Sequence, residues 1–177
     1  SISYRRIEKL LEETSEVEET PQALPITEAR EIVVAIHNFQ YEDVPTLQDV
    51  VFNLHKGQTL GIVGPTGSGK STLLKLFLRQ YDAGKEEILM NGRSIQEYRI
   101  KDLRALIGYV PQEQILFAMS IKDNIRFGNP TLSDEAVVEA TKICGLYNDI
   151  MAMPQGFDTL IGEKGVLLSG GQKQRLS

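Results

Sequence analysis

A chain of 177 residues, 41% hydrophobic and 24% charged, is long enough to bury one sizeable core and has the make-up of an ordinary soluble globular domain. Its formal net charge of −5 supplies no basic field, which argues against nucleic acid as a partner and means that any phosphate must be gripped locally. The longest apolar runs, such as Ile32-Val33-Val34-Ala35-Ile36, are far too short to cross a bilayer, the first residues lack a signal-peptide pattern, and a single cysteine fits a reducing, cytosolic setting.

Residues 1 to 30 stand apart. Ile7, Leu10 and Leu11 make a short amphipathic stripe, Glu12, Glu13, Glu16, Glu18 and Glu19 follow, and Pro21 and Pro25 close the stretch, which reads as a helix tail running into a solvated linker. From Glu31 the pattern turns strand-like: Ile32 to Ile36, Leu47 to Leu54, a turn at Lys56-Gly57, then Thr59 to Val63, with two of these runs expected to pair as a hairpin. A glycine-rich stretch from Gly64 leads into a helical pattern over 71 to 80. Ile88-Leu89-Met90 ends at an Asn91-Gly92 turn, a short helix carries Leu103 and Arg104, and Leu106 to Val110 reads as a strand stopped by Pro111.

Helices dominate residues 120 to 155. Ser120 is placed to cap Ile121 to Arg126, Gly128-Asn129-Pro130 ends that helix, and Ser133 with Asp134 and Glu135 starts another that lasts to about Cys144. Cys144 itself reads as a small buried hydrophobe. Alternating strands and helices around a glycine-rich turn predict a parallel α/β core, with a strand-rich N-terminal part and a helical insert.

The chemistry is concentrated at Gly64-Pro65-Thr66-Gly67-Ser68-Gly69-Lys70-Ser71. Glycines let successive backbone N–H groups converge on one point, and the helix that follows adds its own unpaired N–H groups and the positive end of its dipole. A triphosphate fits that field, with Lys70 reaching the β- and γ-phosphates and the Ser71 hydroxyl joining the shell of a Mg²⁺ ion. Leu168-Ser169-Gly170-Gly171-Gln172-Lys173-Gln174-Arg175 is a second glycine-bearing segment ahead of a helix start, and it reads as another anion site.

Two such segments in one chain resemble the nucleotide-binding domain of an ATP-binding cassette (ABC) transporter, of the multidrug or lipid exporter type, over residues 31 to 177. In that family 64 to 71 is the Walker A motif and 168 to 172 the signature motif. Gln112 in Tyr109-Val110-Pro111-Gln112-Glu113 matches the Q-loop glutamine, and Tyr41 in Phe39-Gln40-Tyr41 the aromatic residue that stacks on adenine. Thr159-Leu160-Ile161-Gly162-Glu163-Lys164-Gly165 resembles the exporter-specific loop that meets the transmembrane subunits. Glu113, His37 and His55 are given no role, and nothing is inferred from Leu167, where exporters often carry a polar residue.

The resemblance implies an α/β fold: a P-loop NTPase core with an N-terminal antiparallel β part and a helical insert, incomplete at the C-terminus. Residues 1 to 30 become the linker from a membrane domain, 31 to 110 the strand-rich part and P-loop core, 111 to 170 the helical subdomain, and 168 to 177 the signature motif and helix start. It implies ATP and Mg²⁺ as cofactors. Tyr41, Gly64, Pro65, Thr66, Gly67, Ser68, Gly69, Lys70, Ser71 and Thr72 would hold ATP on one side, with Ser169, Gly170, Gly171 and Gln172 closing on it from a second domain in a head-to-tail dimer. Lys70 and Gln112 would be the catalytic residues, and Ser71 and Gln112 the metal ligands. A transmembrane domain of the same chain would set the location at the cytoplasmic face of the cell membrane.

One departure is large: the family's Walker B aspartate, catalytic glutamate, D-loop and switch histidine do not occur up to Ser177. The 177 residues are therefore expected to hydrolyse no ATP at a useful rate by themselves, and to expose apolar sheet edges. Two other readings stay open: a soluble ABC ATPase working on nucleic acid or ribosomes, against which the 159 to 165 loop and the N-terminal tail argue, and a non-catalytic nucleotide-binding module, which a glutamate directly after the Walker B aspartate would exclude.

Overall fold

The structure, a computed structural model, describes Ser15 and residues 17–41, 43–162 and 168–177. The apolar stripe of Ile7, Leu10 and Leu11, the acidic positions Glu12, Glu13 and Glu16, and Glu163, Lys164, Gly165 and Leu167 lie outside the described residues. The chain divides into two compact units, Ser1–Gly108 and Tyr109–Ser177.

In the first unit, β1 (Glu31–Tyr41) and β2 (Val44–His55) form the expected hairpin, Ile32 facing Leu54 and Tyr41 facing Val44. Val34 and Ile36 are fully buried one strand repeat apart, and the phase then slips so that Phe39 also turns inward. The hairpin register runs unbroken through Phe39–Leu47 and shifts between Phe39 and Gln40, and Asp49 on β2 adopts a left-handed φ of 49°. Next come α1 (Lys70–Phe77), β3 (Ile88–Met90), β4 (Arg93–Ser94), a 3₁₀ turn and α2 (Ile100–Ala105). Asn91 (φ 53°) and Gly92 (φ 79°) make the tight β3–β4 turn, and the Asn91 side chain accepts from the Arg30 N–H at 2.8 Å and donates to the Glu28 carbonyl at 2.8 Å. Strand order is β2-β1-β3-β4, every pairing antiparallel. The core gathers Val34, Ile36, Leu73, Leu76, Ile88, Met90 and Leu103 between this sheet and the helices.

The parallel core expected from the alternation is not formed by the described residues. Neither 59–63 nor 106–110 is a strand, and Val63 is 93% exposed. An extended run becomes a strand only when a neighbour offers it backbone partners, and none of the described strands pairs with either run. The stretch from 17 to 30 is mostly exposed but is not without partners: Val17 and Ile26 are buried, the Leu24 N–H donates to Glu97 O at 2.8 Å, and the Glu19 carboxylate accepts from the Ile100 N–H at 2.7 Å, at the start of α2. Acidic composition concealed that packing, because the groups used are main-chain atoms and one helix-capping carboxylate.

The second unit is helical: α3 (Ile121–Arg126), α4 (Asp134–Ile143), α5 (Tyr147–Met151), a 3₁₀ turn and α6 (Gly170–Leu176), around Ile121, Leu146, Ile150, Ile161, Leu168 and Leu176. Ser120 and Ser133 cap α3 and α4 as their sequence positions predict, accepting from the Asp123 and Ala136 N–H groups at 3.1 and 3.2 Å. Cys144 is half-buried against this core.

Candidate functional site

Residues 64 to 69 form an exposed loop that tightens into α1. Gly67 and Gly69 hold left-handed φ values of 83° and 86°. At Gly69 a Cβ would come within 2.6 Å of Leu47 Cδ2 and 2.8 Å of the Thr46 carbonyl, so glycine is required there for space as well as conformation. A Cβ at Gly64 would meet Ser68 Oγ at 2.7 Å. Gly69 is the N-cap of α1, offers no side chain to the first-turn N–H groups, and is followed by no acidic residue in that turn. The helix therefore presents its positive end and its donors without a protein counter-charge.

Lys70, the first helical residue, folds back over this loop. Its ammonium donates to the Gly64 and Pro65 carbonyls, both at 2.7 Å, and to Ser68 Oγ at 3.2 Å. One cation is thus held against the carbonyl groups of this glycine-rich loop. Ser71, the next residue, is exposed, while Thr72 is buried. A tight glycine-rich loop with no room for a Cβ at Gly64 or Gly69, a lysine ammonium held over it and an exposed hydroxyl at Ser71 fit a polyphosphate and its divalent metal.

Tyr41 lies in the same unit but in an aromatic cluster of its own. Its ring meets Phe39 at 5.2 Å (84°) and Tyr81 at 4.8 Å (78°), edge to face. The ring is half-buried, and its hydroxyl has no hydrogen-bond partner among the described residues. Val17, Phe39, Tyr41, Val44 and Tyr81 line a cavity of about 670 Å³. Sequence reasoning missed Tyr81, since nothing in its spacing distinguishes it from any tyrosine after a helix.

The remaining site residues belong to the second unit. Gln112 is exposed, its carbonyl accepting from Gln114 Nε2 at 2.9 Å. Ser169 caps α6 through a reciprocal pair: its hydroxyl accepts from the Gln172 N–H at 3.2 Å and its own N–H donates to Gln172 Oε1 at 2.9 Å. Ser169, Gly170 and Gly171 remain exposed. Gln172 also reaches Asp149, which the sequence did not single out. Of the 159 to 165 loop, Thr159 and Ile161 are buried and Gly162 presses on Ala118, a Cβ there meeting its Cα at 3.0 Å.

The sequence profile described as ABC transporter matches residues 47–177, and the chain belongs to that family. It is 44% identical over 172 residues, 96% of its length, to a multidrug export ATP-binding/permease protein of Staphylococcus aureus strain bovine RF122 / ET3-1, covering 30% of that protein. A protein of the same description from strain NCTC 8325 / PS 47 is 49% identical over 142 residues, 79% of this chain and 25% of the relative. Among solved structures, a bacterial Atm1-family ABC exporter with ATP bound superposes with a TM-score of 0.89 at 35% identity, over 99% of this chain and 31% of that one. The chain thus spans between a quarter and a third of the length of these relatives.

Proposed function

We propose that the chain is the ATP-binding part of an ABC exporter, coupling ATP binding and hydrolysis to export across a membrane. The observation that supports this most is Lys70 held over the 64–69 loop by two carbonyls at 2.7 Å: the loop keeps a cation where a triphosphate's terminal groups would arrive. The phosphates would displace the two carbonyls as partners of the ammonium, and the N–H groups at the start of α1 would turn their unpaired donors on the same charge. Ser71 and Gln112 would hold Mg²⁺, which supplies charge neutralisation when bound. Tyr41 would stack on the adenine.

Ser169, Gly170, Gly171 and Gln172 of a second copy would cover the nucleotide, giving a head-to-tail pair. The Ser169 hydroxyl and the Gly170 and Gly171 N–H groups would add to the donors of the loop only in the closed pair, so closure would be tied to the terminal phosphate and opening to its loss. Gln112 and the 159–165 loop would pass that motion to a transmembrane domain of the same chain, which would hold this part at the cytoplasmic face. Residues 1–30 would be the connection to it, with 31–110 and 111–170 acting as core and helical subdomain. Alone, the 177 residues would bind nucleotide without turning it over, because neither Lys70 nor Gln112 can serve as a general base. Lys70→Ala in the intact protein should abolish ATP-dependent turnover; unchanged turnover would overturn the role given to Lys70.

A further inference from the structure

The amide of Gln172 is committed at both ends. Its Oε1 accepts from the Ser169 N–H at 2.9 Å and its Nε2 donates to Asp149 Oδ2 at 3.3 Å. A backbone N–H can only donate and a carboxylate can only accept, so these two neighbours allow the amide a single orientation. The same Asp149 oxygen accepts from Arg175 Nη2 at 2.9 Å, and Arg175 Nη1 donates to the Gly145 carbonyl at 3.1 Å. Gly145 sits at φ 70° just past α4, so the guanidinium is pinned to the end of one helix while it fixes the carboxylate of another. Asp149 lies on α5, remote in sequence from the turn it steadies.

We propose that Asp149 is a positioning residue for the 169–172 turn: through Gln172 it sets the aim of the Ser169 hydroxyl and of the Gly170 and Gly171 N–H groups toward a nucleotide held by a second copy. This rests on the reading above that the turn closes on nucleotide in trans. Magnitudes separate the role from plain stability. Asp149 and Arg175 are 35% and 42% exposed, and pairs at such exposure add little to folding. Orienting donors in a closed, water-poor interface matters far more, because the same hydrogen bonds are stronger there.

The test follows closure in the intact protein by pulsed electron-spin distances between copies labelled at the exposed Thr131→Cys position, in a Cys144→Ala background. Asp149→Asn and Asp149→Leu should raise the ATP concentration for half-closure at least fivefold, and Asp149→Glu should restore most of it. Their melting temperatures should match the parent's, as should ATP affinity measured with Ser169→Arg also present, where copies stay open. Closure at the parent's ATP concentration in both variants, with Ser169→Arg unable to close, would overturn this inference and leave the trans reading standing. Normal closure of Ser169→Arg would overturn that reading and this inference with it. A melting temperature lowered by several degrees in both Asn and Leu variants would make the residue structural and also overturn the proposal.

Discussion

Arg79 grips Asp82 through two parallel bonds, Nε to Oδ1 at 2.9 Å and Nη2 to Oδ2 at 3.0 Å, with the guanidinium only 1% exposed. The same Nη2 donates to the Glu18 carbonyl at 3.1 Å, so one buried cation joins the end of α1 to the segment preceding β1. Asp82→Ala would leave that charge buried without its counter-ion. The expected loss is about 3 kcal/mol, the lower end of the range for broken buried pairs, because Asp82 keeps some contact with solvent. Urea denaturation measures it, and a loss below about 1 kcal/mol would show the pair to be no stronger than a surface one.

The two left-handed glycines of the loop should respond unequally to alanine. A Cβ at Gly67 meets nothing within 4 Å, so Gly67→Ala carries only the backbone strain, about 1 kcal/mol. Gly69→Ala adds collisions with Leu47 and the Thr46 carbonyl, displacing β2 or the start of α1, and should cost about 2–4 kcal/mol and most nucleotide uptake. Equal losses in the two variants, by denaturation and by ATP titration, would contradict the packing account.

What the residues disclose by themselves follows the range of the interactions involved. The caps at Ser120 and Ser133, the Asn91-Gly92 turn and the start of α1 are set by groups within a few positions of each other, and each was legible, whereas the Ser169–Gln172 capping box was not read from the sequence. Leu60 to Val63 was not, since an apolar run states a preference for extension but not whether a neighbour will pair with it. Glu18 and Glu19 are exposed as their composition suggests, but composition could not show that Arg79 and the start of α2, both distant in sequence, take the Glu18 carbonyl and the Glu19 carboxylate as partners. Asp149 and Tyr81 became visible only once the chain had brought Gln172 and Tyr41 beside them.

Tyr98 should carry part of the alkaline limit of stability. It is buried, its hydroxyl donates to the Met90 carbonyl at 2.9 Å, and burial raises its pKa above the ordinary 10.0, against the opposing charge of Arg93 and with the help of Glu97. The unfolded chain therefore gives up this proton first as pH rises. The contribution is whole below about pH 10 and is lost as pH climbs through the higher folded value. Tyr98→Phe should be less stable by about 1 kcal/mol at pH 8, with the gap to the parent closing in more alkaline buffer. A gap that stays constant across that range would contradict the assignment.

The central claim is that the 64–72 loop, with Lys70 above it, captures Mg·ATP. Isothermal calorimetry on the intact protein tests it most directly, with Lys70→Ala run beside the parent. The account predicts saturable, magnesium-dependent uptake of ATP by the parent, weakened at least tenfold in the variant, or by about 1.4 kcal/mol. Absence of adenine nucleotide uptake by the parent, or equal uptake by both proteins, would contradict it.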